Sequence, residues 1–157
     1  MESSQAINHT IRGKDFMPRI LIVEEQEKIR KSLVSIFKKE GFDTCDGIGW
    51  EKVAELCGGN VYDLIIVDLD IKPSEGYERV KKIVFSSSNA EIVVIAPQNT
   101  YDTARMNSYG VYDCVLKPFR LREIVAVGKK ALEKKKLVDK VRNLEQIMDI
   151  NKITLKN

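Results

Sequence analysis

Four short apolar runs in this sequence each lead into residues that can do chemistry. Ile20-Leu21-Ile22-Val23 is followed by Glu24 and Glu25, and Leu64-Ile65-Ile66-Val67 by Asp68 and, two residues on, Asp70. Ile92-Val93-Val94-Ile95 leads into Ala96 and Pro97, and the weaker run Cys114-Val115-Leu116 into Lys117, Pro118 and Phe119. Four carboxylates and one lysine at the ends of such runs suit oxygen ligation of a hard divalent cation, which takes one or two carboxylates together with waters. Grouped carboxylates repel one another, and a bound cation relieves that repulsion. Each piece has a plainer reading when taken singly. Acidic residues after a strand favour the first turn of a helix, and Lys-Pro is a common turn step. What sets the joint reading apart is the coincidence at several strand ends.

These residues meet only if the chain folds so that the ends of the runs converge. The runs are continuous rather than alternating, as expected of parallel strands covered on both faces. Helical patterns lie between them. Ile29, Leu33, Ile36 and Phe37 share one helical face, and so do Leu121, Ile124, Val125, Gly128 and Leu132. Trp50, Val53, Ala54 and Cys57 make a third, shorter face. Gly41 stands where the first helix should stop, and Phe42 to Cys45 is expected to form a polar second strand at a sheet edge. The order is strand then helix, five times over, which implies an α/β doubly wound five-stranded parallel sheet with right-handed crossovers. In such sheets the site lies outside the carboxyl ends of the strands, near the point where strand order reverses. The four carboxylates and Lys117 are expected to converge there.

With the residues so placed, the stretch from Pro18 to about Leu132 resembles a response-regulator receiver domain. The pieces that carry the resemblance are ILIVEE, DLIIVDLD with Gly76 eight residues beyond Asp68, and LKPF. Each alone is weak; all three in order on a strand–helix framework are specific. The resemblance implies a flavodoxin-like sheet of order 2-1-3-4-5 and a place in two-component phosphorelay signalling, as a signalling receiver and not an enzyme, with at most self-phosphorylation and self-dephosphorylation. It implies that Asp68 is the phosphoacceptor, a nucleophile forming an acyl phosphate. Glu24, Glu25 and Asp68 would then ligate Mg²⁺, with Asp70 offering its backbone carbonyl and Lys117 holding the phosphoryl oxygens as a point charge. A carboxylate that attacks a charged phosphoryl group needs such a cation to neutralise and clamp it. The bond before Pro118 is expected to be cis. A sensor histidine kinase or phosphotransfer protein would be the partner, and the cytoplasm the location.

The sequence also departs from the family pattern. The acidic pair is Glu-Glu, each side chain one methylene longer than the usual aspartate, which weakens the fit to octahedral Mg²⁺. The switch hydroxyl at the end of the fourth strand is replaced by Ala96, and Pro97 after it has no backbone N–H. The switch aromatic, three residues before the lysine, is replaced by Cys114. A hydrogen bond to a charged group contributes about 1.5–3 kcal/mol, so two missing donors weaken the phosphorylated state. Two outputs stay open: phosphorylation with an altered switch, or a phosphorylation-independent pseudo-receiver that acts as an interaction module. An enzyme reading also exists, since a strand ending in Asp68-Leu69-Asp70 is similar to haloacid-dehalogenase-like phosphatases. In those the motif sits on an early strand before Gly-Thr, whereas here Ile71-Lys72 follows and a full strand–helix–strand–helix unit precedes.

The bulk composition agrees with a single receiver plus extensions. The chain has 157 residues, 43% hydrophobic and 31% charged, ordinary values for a globular domain. No apolar run reaches the roughly 18 residues of a membrane span, and the start MESSQAINHTIRGKDF has no apolar signal region. Residues 1–17 are expected to be a loose arm, in which the lone His9 has no ligand role. The three cysteines, Cys45, Cys57 and Cys114, match no metal or redox spacing and are expected to be small apolar residues in a reducing compartment. Net charge is +3 overall, but residues 128–157 hold nine Lys and Arg against four Asp and Glu, while residues 1–127 hold seventeen against nineteen. That balance argues against a nucleic-acid surface on the body. The expected helical tail, residues 133–157, places Leu137, Val141, Leu144, Met148, Asn151 and Leu155 at heptad spacing. That pattern suits a short homodimeric coiled coil or a signalling linker to an output domain, and it also suits a helix folded back on its own domain or fraying.

Overall fold

A computed structural model describes residues 17–59, 61–87 and 89–156, with the backbone alone for residues 57–59 and 154–156. The expected loose arm and His9 therefore lie outside the described residues, apart from Met17, as do the side chains of Cys57 and Leu155. Met17–Leu132 is one compact unit, and the chain from Glu133 on belongs to a second.

The first unit is a five-stranded parallel sheet of order β2-β1-β3-β4-β5. Its strands are β1 (Ile20–Val23), β2 (Cys45–Ile48), β3 (Leu64–Asp68), β4 (Glu91–Pro97) and β5 (Asp113–Lys117). The helices are α1 (Glu27–Lys39), α2 (Val53–Gly59), α3 (Pro73–Ser86), α4 (Thr103–Ser108) and α5 (Leu121–Lys156), with a 3₁₀ turn over Trp50–Lys52 ahead of α2. The continuous runs behave as their apolar character requires: every residue of β1 and β3 is buried. The outer strands are less covered, with Asp46 and Gly47 of β2 and Leu116 of β5 exposed.

The second strand begins later than its sequence suggests. It is Cys45–Ile48, paired from Ile20↔Cys45 to Val23↔Ile48, and not Phe42–Cys45. The reason lies in how α1 ends. Gly41 takes a φ of 99°, its N–H bonds the Lys38 carbonyl, and the Phe42 N–H bonds that of Phe37, both at 3.0 Å. This is a Schellman stop, completed by the Phe37 and Phe42 rings with centroids 5.8 Å apart. Phe42 is thus held by the helix and is not free to enter the sheet. The third helical face also shifts: Val53 is buried and Leu56 half-buried, whereas Ala54 is exposed. On α5, Ile124, Val125, Gly128, Ala131 and Leu132 are buried but Leu121 is not.

One glycine inside a helix has a packing reason. Gly76, in the first turns of α3, lies under the Tyr101 ring. A Cβ there would come within 2.6 Å of Tyr101 Cζ and closer still to its hydroxyl. A glycine-to-alanine change in a free helix gains up to about 1 kcal/mol. Here overpacking reverses the sign, so Gly76→Ala should destabilise by about 1–3 kcal/mol. Urea unfolding of the two proteins measures this; a stabilised variant would show that the ring gives way freely.

Candidate functional site

Two buried carboxylates and one lysine meet at the carboxyl edge of the sheet. Asp68 is the last residue of β3 and its side chain is fully buried. Lys117, the last residue of β5, brings Nζ to 2.6 Å from Asp68 Oδ1 and keeps 26% of its side chain exposed. The Lys117–Pro118 bond is cis, as the family resemblance implies. The contact is an ion pair by distance but is not aligned as a hydrogen bond, and neither Asp68 oxygen finds a hydrogen-bonding partner among the described residues. Glu24, immediately after β1, is 3% exposed. Its Oε1 accepts the Gln26 N–H at 2.9 Å while Oε2 is buried without a hydrogen-bonding partner. The Glu24 backbone is fixed on both sides: its N–H bonds the Ile48 carbonyl at 2.9 Å and its carbonyl accepts from Arg30 Nη1 at 2.8 Å. Burial, and then the Asp68 carboxyl beside it, push the Glu24 carboxyl up to about 8, and the Lys117 charge opposes them only in part.

Of the other two expected ligands, the Glu25 side chain is engaged elsewhere, while Asp70, expected to offer only its backbone carbonyl, has an exposed side chain. Glu25 is exposed and turned toward the 3₁₀ turn and α3, where its Oε1 accepts the Trp50 N–H at 3.0 Å and meets Arg79 Nη1 at 3.3 Å. The Arg79 guanidinium in turn lies over the Trp50 ring, 4.7 Å from its centroid. Glu25 therefore caps the 3₁₀ turn and pairs with Arg79. Asp70 is exposed, and among the described residues no three His, Cys, Asp or Glu side chains gather as a metal-binding group. The sequence expects four converging carboxylates; the structure brings two together. The positions of Trp50 and Arg79, far from Glu25 in sequence, are what the motif alone does not reveal.

A hard cation still fits this smaller set. Glu24 Oε2 and both Asp68 oxygens are buried acceptors without hydrogen-bonding partners. Such groups are costly unless a charge meets them, and a pair of carboxylates with waters is an ordinary environment for Mg²⁺.

The two switch positions are also in place. Ala96 is fully buried on β4, followed by Pro97 as the strand's last residue. Cys114 on β5 is half-buried against the core, and burial pushes its thiol up to about 11, so it stays protonated and unreactive. Neither residue offers the hydroxyl or the aromatic ring that the family places there.

Residues 20–129 match the family model of the response regulator receiver domain. The chain belongs to that family. Among curated relatives, this receiver is 29% identical over 139 residues to response regulator ArlR of Staphylococcus aureus, a match covering 88% of the chain and 60% of the relative. The chain thus spans about 60% of that relative's length. Solved structures share its fold at lower identity. One described as an adenylate cyclase from Rhodopirellula baltica superposes with a TM-score of 0.69 at 20% identity, covering 82% of this chain and 97% of that one. A CheY-like receiver domain protein from Methanospirillum hungatei JF-1 superposes with a TM-score of 0.64 at 18% identity, covering 76% and 97%.

Two outcomes follow from this geometry. Native Glu24 holds a proton up to about pH 8, whereas a carboxyl in the unfolded chain releases it near its ordinary value of 4.5. The native state binds the extra proton between those values, so its stability falls as pH rises from about 5 to 8. Urea midpoints in chelator should show that slope, and Glu24→Gln should flatten it; an unchanged slope would place the cause elsewhere. The two glutamates should also differ toward Mg²⁺. By calorimetric titration, Glu24→Ala is expected to lower affinity roughly ten-fold or more, and Glu25→Ala to change it by less than about three-fold, as for an exposed ion pair. Equal losses would mean that Glu25 leaves Arg79 to join the ion.

Proposed function

We propose that this receiver accepts a phosphoryl group on Asp68 within a two-component phosphorelay. The observation that carries the proposal is the Asp68–Lys117 ion pair at 2.6 Å, at a buried strand end where neither Asp68 oxygen has a hydrogen-bonding partner among the described residues. An Asp68 oxygen attacks the phosphorus of the donor, a P–O bond forms, and the P–N bond to a donor histidine breaks, so that the imidazole leaves. Lys117 draws one phosphoryl oxygen with its charge and fixes the group's orientation. Glu24, buried and without a partner at Oε2, is the second carboxylate that would hold Mg²⁺ with Asp68. The bound cation would supply charge neutralisation between the carboxylate and the incoming group. The donor would be a sensor histidine kinase or phosphotransfer protein, and the setting the cytoplasm. Among the described residues no helix is long and apolar enough to cross a membrane.

The second unit supports a homodimer as one route to output. α5 continues through it to Lys156, and Leu137, Val141, Leu144 and Met148 stand exposed at heptad spacing, each more than half exposed. A second copy of the helix would cover that stripe.

The other reading, a phosphorylation-independent interaction module, has its own support in Ala96, Pro97 and Cys114. Intact mass after incubation with Mg²⁺ and a small phosphodonor, with Asp68→Ala in parallel, separates the two. One phosphoryl adduct on the wild type and none on the variant is the expected outcome. No adduct, from the small donor or from a phosphorylated histidine kinase, would leave the interaction module.

A further inference from the structure

With Ala96 and Cys114 at the switch positions, a change at Asp68 needs another route to the helical face beside it. The loop between β4 and α4 supplies one. Pro97 fixes its own φ, and Asn99 takes a φ of 60°, a left-handed conformation that asparagine tolerates better than most residues. Thr100 Oγ1 bonds the Gln98 carbonyl at 3.2 Å. This tight turn sends Tyr101 inward, where it is only 7% exposed.

The buried tyrosine touches two elements at once. Its hydroxyl donates to the Ile71 carbonyl at 2.9 Å, three residues beyond Asp68 on the loop that follows the acceptor. Its ring lies against Gly76 and meets the Tyr77 ring edge-on, with centroids 5.1 Å apart. Tyr77 passes the contact on. Its hydroxyl accepts the Asp102 N–H at 2.7 Å, and the Asp102 side chain caps α4 by accepting from the N–H groups of Ala104 and Arg105. The Arg105 guanidinium closes the set, lying 3.9 Å over the Tyr77 ring and donating to the Tyr109 hydroxyl at 2.7 Å. Burial pushes the Tyr101 hydroxyl up to about 12, so it remains a donor at working pH.

We infer that Tyr101 is a positioning residue that ties the loop following Asp68 to the start of α4, so that a change at Asp68 reaches the α3–α4 face through its hydroxyl and ring. The link is to a fixed backbone carbonyl, which moves only if the Asp68 loop moves. It also accounts for Gly76, whose missing side chain makes room for the ring. The inference rests on the reading of Asp68 as the acceptor, and the test separates the two.

Amide spectra of the full chain would be recorded with and without beryllofluoride and Mg²⁺, a mimic of the phosphoryl group. The wild type should show shifts at residues 68–72 and also at 102–106. Tyr101→Phe keeps the ring and removes the donor; it should retain the first set and shrink the second at least about three-fold. Equal shifts at 102–106 in both proteins, or none there in the wild type, would overturn the link. No shifts at 68–72 in the wild type would instead remove the acceptor reading. Hydrogen exchange then decides the link alone. The Gly76 and Met106 amides, bonded to Lys72 and Asp102 carbonyls, should both exchange roughly two- to ten-fold faster in Tyr101→Phe. Acceleration of only one amide, or of neither, would overturn it.

Discussion

Burying two carboxylates beside a single lysine is the constraint around which the rest of this domain is arranged. Asp68 and Glu24 are taken out of water at the end of an all-parallel sheet, and Lys117 answers one negative charge, not two. A buried charge without a partner costs several kcal/mol. The protein lowers that cost by keeping a proton on Glu24, and it anchors the surrounding backbone through Ile48, Gln26 and Arg30. The sheet order follows the same need. β1 and β3 are neighbours at the centre, so Glu24 and Asp68 emerge side by side, and β4 separates β3 from β5 so that only a long side chain such as Lys117 spans the gap.

Much of this was legible in the sequence because it depends on short-range pattern. Continuous β-branched runs specify buried parallel strands, Gly41 specifies the end of α1, and Asp68 and Lys117 follow from their places at strand ends. What was not legible depends on side-chain direction set by distant residues. Glu25 looks like half of an acidic pair, yet its carboxylate is claimed by Trp50, 25 residues away, and by Arg79, 54 residues away. The start of β2 was missed for a related reason: the Phe42 ring belongs to the stop of α1, a contact that a strand-like composition conceals. Tyr101 was passed over altogether. The available signal was Gly76, a residue that costs roughly 1 kcal/mol in a helix relative to alanine and so calls for something large packed against it.

The departures from the family pattern have different physical weights. A hydroxyl at the Ala96 position and an N–H at the Pro97 position are donors that would act on a phosphorylated form alone, so under the proposed function their loss would weigh on that form and not on folding. Where the family has an aromatic, Cys114 packs half-buried against the core from β5. The Glu-Glu pair is softened by geometry: since Glu25 is engaged elsewhere, the extra methylene matters only at Glu24.

A switch needs two arrangements of a packed element, each favoured by a different state of the site. In this domain the hydroxyl and the ring that normally make those arrangements are gone, yet a buried tyrosine still spans from the Asp68 loop to α4. Its polar end meets a backbone carbonyl, not a phosphoryl group. Such a link reports the position of the loop whatever moves it: a phosphoryl group, a cation, or a partner pressing on the face. The two readings of this receiver therefore need not imply two different machines. A tie through Ile71 and Tyr77 would serve a phosphorylated domain as output and an unphosphorylated one as a rigid recognition surface, and the difference would lie in how far the loop after Asp68 travels.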